Sequence, residues 1–165
     1  MSNNPFPPTR RIVTGHDGNG RATITSDATY RSQPIAIGGA EFALIWTTAA
    51  VPADNNDPTD GRERDAGLTL NAGSVIRIVD FVPGGESPFH RTKSIDYGIV
   101  LAGAIELELD DGIKTIAAAH SIIVQRGTNH KWRNPSATEF ARVAFVLIEA
   151  PAYLHEGNPL PEDKP

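Results

Sequence analysis

Residues 83–103 read PGGESPFHRTKSIDYGIVLAG, and the chain is predicted to be organised around this stretch. Its first half is rich in Gly and Pro, which disfavour helices and long strands, and this half ends at His90. Asp96 follows, and an apolar run begins at Ile99. A second polar stretch, residues 125–134 (QRGTNHKWRN), brings His130 next to a glycine turn. The sequence therefore predicts a site of two imidazoles and one carboxylate, each at the end of an apolar strand.

The clearest strand pattern follows this stretch directly. Apolar and acidic residues alternate over residues 105–110 (IELELD), and this period of two is typical of a strand with one buried face. Asp111-Gly112 comes next, a pair that favours a tight hairpin turn. Residues 113–116 are therefore the expected return strand.

Other short β-type runs recur along the chain, and no 3.6-residue period of useful length is present. These runs are residues 10–14, 22–25, 42–48, 74–82, 121–124 and 142–149. Many short strands punctuated by Gly and Pro predict an all-β sandwich or barrel with little or no helix. Residues 1–9 are expected to be a flexible arm, 10–150 a single barrel domain, and 151–165 a Pro-rich surface tail.

Residues 52–66 (PADNNDPTDGRERDA) are polar and contain no large apolar residue. This composition predicts a long, mobile surface loop. Such a loop is either a passive insertion or a lid over a site, and the passive insertion is the interpretation adopted.

Composition excludes several classes of partner. The chain has 165 residues and a formal net charge of −5, which argues against nucleic-acid binding. The absence of cysteine removes disulfides and thiolate ligands and suits a reducing compartment. The N-terminus shows no secretory apolar region, and no apolar run approaches the roughly 20 residues that span a bilayer. A soluble, cytoplasmic protein is expected.

The two polar stretches resemble the two motifs of the cupin superfamily, and specifically its small single-domain, type-2 members. The first motif of that family places His, His, Glu and Gly where this chain has His90, Thr92, Asp96 and Gly103. The second places Gly, Pro, Gly, His and Asn where this chain has Ala119, Gln125, Gly127, His130 and Asn134. The resemblance implies a cupin-type jelly-roll barrel, two antiparallel sheets around one cavity.

The same resemblance implies a divalent metal held by His90, Asp96 and His130, with Thr92 in place of the fourth ligand. Two imidazoles and one carboxylate are the set used by non-haem Fe(II) oxygenases, so Fe²⁺ is the first choice. Zn²⁺ or Mn²⁺ would act there as a Lewis acid. The opposing interpretation is structural: each histidine can be a hydrogen-bonded strand residue, and Asp96 can simply pair with Arg77 or Arg91.

Five neighbouring residues are candidates for contact with a substrate. They are Arg77, Thr92, Tyr97, Gln125 and Trp132. Residues two apart on a strand share a face, which predicts Thr92 beside His90 and Trp132 beside His130. Trp132 has an equally simple interpretation as core. Asn134 is expected to tie down a turn, because Asn bonds its own local backbone readily.

Three functions stay open from the sequence. The first is a metal-dependent oxygenase-type oxidoreductase acting on a small carbonyl- or hydroxyl-bearing molecule, with Asp96 and His130 catalytic. The second is a metal-assisted dehydratase, decarboxylase or isomerase with Asp96 as the base. The third is a small-ligand-binding cupin without catalysis. The resemblance also implies a homodimer, for which residues 10–14 offer an edge strand.

Overall fold

The computed structural model describes residues 3–35, 39–67 and 72–163, and within these ranges regular structure is almost entirely β-strand. In chain order the strands are β1 Thr9–His16, β2 Ala22–Tyr30, β3 Gln33–Pro34, β4 Ala40–Thr48, β5 Ser74–Phe81, β6 Ser94–Ala102, β7 Ala104–Leu109, β8 Lys114–Ala118, β9 Ile122–Arg126, β10 His130–Arg133, β11 Ala141–Glu149, β12 Leu154–His155 and β13 Asn158–Pro159. Two short 3-10 turns, Gly61–Glu63 and Asp110–Gly112, are the helical segments of the described ranges. The all-β prediction is confirmed.

Two antiparallel sheets form the barrel. The larger has the order β3-β4-β5-β11-β6-β9, and the smaller has the order β10-β7-β8. The non-sequential neighbours, with β11 lying between β5 and β6, are the crossovers of a jelly roll. β1 and β2 form a separate hairpin, and β12 and β13 form another in the tail.

The core lies between the two sheets. Its fully buried members include Val100 and Val143 from the larger sheet and Ile105 from the smaller. Burying an aliphatic side chain of this size contributes about 1.5–3 kcal/mol. The alternation predicted for residues 105–110 is confirmed in β7, since Ile105 and Leu107 are buried and the alternating Glu106 and Glu108 are only partly buried.

Two turns match the chemistry read from the sequence. Asp111 and Gly112 both have positive φ, at 57° and 72°, between β7 and β8. Asn134 is buried and ties its loop to the barrel, because its Nδ2 donates to the carbonyl oxygens of Phe81, Val82 and Glu139. The predicted turn role of Asn134 is confirmed.

Residues 52–66 are tied to the rest of the chain by polar contacts, whereas the mobility expected of this loop stays a prediction. Nη1 and Nη2 of Arg11 each donate to the carboxylate of Asp60 at 2.7 Å, and the side chain of Arg11 is only 4% exposed. The Thr47 hydroxyl donates to the carbonyl of Gly61 at 2.5 Å. Gly61 packs so tightly that an added Cβ would lie 2.3 Å from the Thr47 carbonyl oxygen. These anchors join distant parts of the chain, and no local pattern reveals them.

The N-terminal arm also contacts the barrel. Asn4 donates to carboxylates of Glu41 and Asp80, and Phe6 lies under the guanidinium of Arg142. The N-terminal arm expected to be flexible therefore contacts the barrel from residue 4 onward. The Gly38-Gly39 pair is typical of a turn in sequence, and Gly38 lies outside the described residues. Among the described residues, the structure offers no helix long and apolar enough to cross a membrane.

Candidate functional site

The larger sheet places the polar candidates on its inner face. In β6 the buried positions alternate with exposed ones, so Ser94 and Asp96 point inward. Asp96 lies directly opposite Gln125 on β9, and both are nearly fully buried. Arg77 on β5 is also buried, and it lies opposite the inward-facing Phe145. Arg77 on β5, Asp96 on β6 and Gln125 on β9 therefore all lie inside the barrel.

The two imidazoles lie side by side. His90 and His130 exchange backbone N–H···O hydrogen bonds of 2.9 Å, and their ring centroids are 4.2 Å apart. Nδ1 of His90 lies 3.0 Å from the Pro88 carbonyl oxygen, and Nδ1 of His130 lies 2.9 Å from that of Thr128. The sequence prediction that these histidines meet is correct.

Burial keeps both imidazoles neutral. Burial is the main cause that lowers the pKa of His90, partly offset by its bond to Pro88. Burial, followed by the adjacent His90, lowers the pKa of His130 to about 4. Desolvation disfavours the charged form of an imidazole. At neutral pH His130 is therefore an uncharged hydrogen-bonding group.

Gln125 contacts His130 directly. Its Oε1 accepts from the backbone N–H of Gly127 at 3.1 Å, which fixes the orientation of the amide. Its Nε2 donates to the carbonyl of Thr128 at 2.8 Å and lies 2.9 Å from Nδ1 of His130. Gln125, proposed from the sequence as a substrate contact, thus holds the imidazole of His130 from behind.

Asp96 is the most perturbed acid of the site. Its Oδ1 accepts a 2.5 Å hydrogen bond from the Ser94 hydroxyl, which lies 2.8 Å from the Thr92 hydroxyl. Burial raises the pKa of Asp96 to about 6, although the hydrogen bonds of Ser94 and Thr92 and the charge of Arg77 act in the opposite direction. Sequence reasoning missed Ser94, although its position two residues before Asp96 on a strand was the available signal.

Arg77 supplies the positive charge near Asp96. Burial lowers the pKa of Arg77 to about 10, and Asp96 partly restores it. Nη2 of Arg77 donates to the carbonyl of Gly67 at 3.0 Å, and its guanidinium lies 5.4 Å from the ring centroid of Phe42. Even with a lowered pKa, Arg77 stays a cation at neutral pH. The structure therefore places a cation and a carboxyl group that titrates near pH 6 together inside the barrel.

Trp132 has the core role weighed from the sequence, and its contact with a substrate stays a prediction. It belongs to the core cluster and contacts Phe145, with ring centroids 5.2 Å apart. Its ring also meets His130 edge-on at 5.3 Å. Trp132 therefore forms a rigid apolar wall beside the second imidazole.

Tyr97 does not lie where the sequence prediction placed it, and Thr92 has a hydrogen-bond partner that was not predicted. Tyr97 follows Asp96 on β6 and points to the outer face of the sheet, where it is 39% exposed. The prediction that Tyr97 contacts a substrate inside the barrel is wrong, because neighbouring strand residues face opposite sides. Thr92 is buried as expected, but its hydroxyl contacts Ser94 and forms part of the hydrogen-bonded chain to Asp96.

The predicted three-ligand metal site does not form as such. Among the described residues, which include His90, Asp96 and His130, no group of three His, Asp or Glu side chains lies close enough together to hold a metal ion. The carboxylate of Asp96 is engaged with Ser94 instead. A 2-His-1-carboxylate site requires all three side chains around one point. The residues present do not fit that set, and the imidazole pair and Asp96 are two separate functional groups.

Comparison with known proteins places these features in a family. A family model described as "Cupin domain" matches residues 77–147. Phomopsin biosynthesis cluster protein C' of Diaporthe leptostromiformis is 42% identical over 147 residues, covering 85% of this chain and 78% of that protein. The cupin-domain-containing oxidoreductase fogC of Aspergillus ruber is 37% identical, covering 84% of this chain and 71% of that protein.

A solved structure agrees on the fold. The cupin domain of Schizosaccharomyces pombe Cnp3 superposes with a TM-score of 0.53 at 13% identity, covering 85% of this chain and 87% of that one. Identity this low shows the fold alone. Together with the sequence relatives and the jelly-roll topology, these findings show that the chain belongs to the cupin superfamily.

Proposed function

We propose that this cupin is an oxidoreductase-type enzyme of small-molecule biosynthesis that acts on a carbonyl- or hydroxyl-bearing substrate, with Asp96 transferring the proton. The observation that carries the proposal is the buried Asp96 carboxyl, with its pKa raised to about 6, beside the buried cation Arg77. The names of two relatives support the class of activity: one is called a cupin-domain-containing oxidoreductase, and the other a biosynthesis cluster protein.

Each residue has a defined role in this proposal. The Asp96 carboxylate removes a proton from the substrate hydroxyl or from the carbon next to its carbonyl, and a pKa near 6 suits this task at neutral pH. Arg77 stabilises the oxyanion that forms, because a fixed cation in a water-poor site stabilises developing negative charge. Nδ1 of the neutral His130 either accepts from Nε2 of Gln125 or donates to the Thr128 carbonyl. In the first case Nε2 of His130 donates a hydrogen bond to the substrate oxygen, and in the second it accepts one from the substrate.

The oxidation requires an electron acceptor, and we name dioxygen for it. Loss of two electrons and two protons from the substrate, with their transfer to dioxygen, gives the oxidised product and hydrogen peroxide. Asp96 takes one of these protons from the substrate and returns it to the peroxide. The protein residues thereby supply proton transfer and charge stabilisation, and the co-substrate supplies the redox change.

A second function, a lyase or isomerase, is favoured by one observation: the three expected metal ligands do not form a single set. In that reaction Asp96 removes the same proton, but the substrate is not oxidised and no electron acceptor takes part. The proton returns to a different carbon, or a leaving group departs from the neighbouring carbon with its electron pair. Asp96 and Arg77 keep the same roles.

The experiment compares proton transfer with oxygen consumption. The purified protein is incubated in D₂O with a panel of carbonyl compounds carrying exchangeable α-hydrogens, and deuterium incorporation and dioxygen uptake are followed together. The variant Asp96→Asn removes the base, and Asp111→Asn on an exposed turn is the matched control. Exchange with oxygen uptake, lost only in Asp96→Asn, supports the oxidoreductase; exchange without uptake supports the lyase or isomerase. Full turnover in Asp96→Asn would contradict both.

Metal content is measured on the same preparation. Elemental analysis for iron, zinc and manganese, before and after addition of Fe²⁺, Zn²⁺ or Mn²⁺, tests the cofactor expected from the sequence. Because Asp96 does not join the imidazoles in one set, we expect Asp96→Asn to leave metal content unchanged. Stoichiometric metal that disappears in Asp96→Asn would restore the three-ligand site.

A further inference from the structure

A cleft lies outside the barrel, between the start of β6 and the C-terminal tail. It has a volume of about 230 Å³. Its walls include Arg91, Lys93, Ile95 and Arg126 from the barrel and Tyr153 and Leu160 from the tail. Thr92 and Ser94 also border it, whereas Asp96, Arg77, His90 and His130 do not. We call it the tail cleft.

The tail that covers this cleft is fixed to the barrel by its backbone. Arg91 and Asp163 exchange backbone hydrogen bonds of 2.7 and 2.9 Å, and the N–H of Ala150 donates to the carbonyl of Lys93 at 3.0 Å. The N–H of Leu160 donates to the carbonyl of Tyr153 at 2.9 Å, which folds the tail back on itself. The cleft is therefore a defined part of the fold.

The barrel side of the cleft carries three cationic side chains, those of Arg91, Lys93 and Arg126. Thr92 and Ser94 are buried and bonded toward Asp96, whereas Lys93 and Ile95 alternate with them and face outward. Arg126 on β9 lies directly opposite Ile95 and is exposed on the same outer face. Because strand residues alternate sides, these cations point away from the candidate site inside the barrel.

These cations have little compensation from the protein. Within the described ranges, no carboxylate lies within ion-pair distance of Lys93 or Arg126. Nε of Arg91 is buried and has no hydrogen-bond partner in the part of the chain described, while its Nη1 reaches the Pro161 carbonyl at 3.4 Å. A buried donor without a partner costs free energy, which a bound acceptor would recover. Glu162 is the acidic residue among the lining residues described.

The remaining walls are apolar. Ile95, Tyr153 and Leu160 line the cleft beside the cations, and Tyr153 is 59% exposed. The volume of about 230 Å³ is below the roughly 300–1,000 Å³ of pockets for drug-sized ligands. The cleft therefore suits a compact ligand with one anionic end and one apolar end.

We propose that the tail cleft is a second binding site, for a small organic carboxylate whose acid group is held by Arg91, Lys93 and Arg126. Arg and Lys bind carboxylates through charge-assisted hydrogen bonds, and Arg matches their planar geometry. The apolar body of the ligand packs on Ile95 and Tyr153. This site is independent of the function proposed for the barrel interior.

Binding is tested directly, without an activity assay, so its failure is separate from failure of the proposed enzyme. Full-length protein is titrated with benzoate, and backbone amide shifts are followed by NMR. Benzamide, of similar shape but uncharged, and inorganic phosphate, an anion without an apolar body, are the comparison probes. Arg126→Gln and Lys93→Gln remove one cation each, and Arg21→Gln on a distant exposed turn removes the same charge elsewhere.

We expect benzoate to shift amides of residues 91–95, 126–127 and 150–162, and to bind roughly tenfold more weakly in Arg126→Gln and Lys93→Gln. Arg21→Gln should bind as the wild type does. The proposal is overturned if benzamide or phosphate binds as tightly as benzoate, if the shifts centre on the barrel interior, or if Arg21→Gln weakens binding as much as Arg126→Gln does. Absence of benzoate binding at millimolar concentration also overturns it.

Discussion

The Ser94 hydroxyl donates a 2.5 Å hydrogen bond to Oδ1 of Asp96. Ser94 has only one hydroxyl proton, so when Asp96 is ionised the Thr92 hydroxyl, 2.8 Å away, is the donor to Ser94. This short chain stabilises the carboxylate against the burial that raises its pKa. Ser94 therefore makes the largest of the three contributions, with Thr92 and Arg77, that keep the pKa of Asp96 near 6 and not higher.

Replacement of Ser94 should raise the pKa of Asp96. A hydrogen bond to a charged group contributes about 1.5–3 kcal/mol, so Ser94→Ala should raise the pKa by roughly one to two units. Thr92→Val should have a smaller effect in the same direction, because the hydrogen bond of Thr92 lowers the pKa of Asp96 less than that of Ser94 does. The titration of Asp96 by carboxyl ¹³C NMR measures both. An unchanged pKa in Ser94→Ala would mean that the hydrogen bond does not stabilise the carboxylate.

The pH dependence of stability should separate Asp96 from His130. The pKa of Asp96 is raised from 3.8 to about 6 in the folded protein, so its favourable contribution is present at low pH and is lost as the pH rises through 6. The pKa of His130 is lowered from 6.5 to about 4, so its contribution is present above 6.5 and is lost as the pH falls toward 4. Between about pH 4 and pH 6 the two effects oppose each other.

Single variants should expose each effect in turn. The quantity compared is the unfolding free energy of each variant minus that of the wild type. As the pH is lowered, this difference should fall for Asp96→Asn by up to about 1.4 kcal/mol per pH unit, and it should rise for His130→Gln by a similar amount. Urea unfolding from about pH 6.5 to about pH 4 gives these slopes. Parallel curves for the three proteins would show that neither group has the perturbed pKa.

The bond between Arg11 and Asp60 should hold residues 52–66 in place. Asp60→Asn leaves the guanidinium of Arg11, 4% exposed, without its anionic partner. We expect a loss of about 1–3 kcal/mol in unfolding free energy, reduced by the partial exposure of Asp60, and faster tryptic cleavage at Arg62. Asp27→Asn is the matched control, because its pair with Arg10 is exposed to solvent and should contribute little to stability. Equal effects of the two variants would argue against the anchor.

The hairpin of β1 and β2 should mediate a homodimer. In the described chain β1 pairs only with β2, which leaves its other edge open, and Ile12 and Ile24 on this hairpin are 49% and 60% exposed. Light scattering after gel filtration should give a dimer mass for wild type and a monomer mass for Ile12→Asp. Ile113→Asp, on a different exposed turn, should stay dimeric. A monomeric wild type at micromolar concentration would remove this proposal.

Much of the fold and part of the site could be predicted from local patterns. Period-two alternation and the Asp111-Gly112 pair located β7 and its turn because both depend on neighbouring residues. Motif spacing correctly brought His90 and His130 together, since both lie where strands of the barrel meet.

The remaining features depend on orientation and on distant contacts. Tyr97 and Asp96 are adjacent in sequence, and only the registered strand β6 shows that they face opposite sides. The position of Asp60 is set by Arg11, which lies 49 residues away in sequence. Gln125 stands where the second cupin motif has Pro. Its contact with His130 depends on the turn at Gly127, and the replacement of Pro by Gln does not by itself indicate that contact.

The central claim is that Asp96 is a buried acid–base group poised to exchange protons near neutral pH. A carboxyl ¹³C titration of aspartate-labelled protein, with the resonance assigned by its absence in Asp96→Asn, measures this directly. We predict a midpoint at about pH 6. A midpoint near the ordinary value of 3.8 would show that Asp96 is solvated and ionised like any surface carboxylate, and would contradict the account.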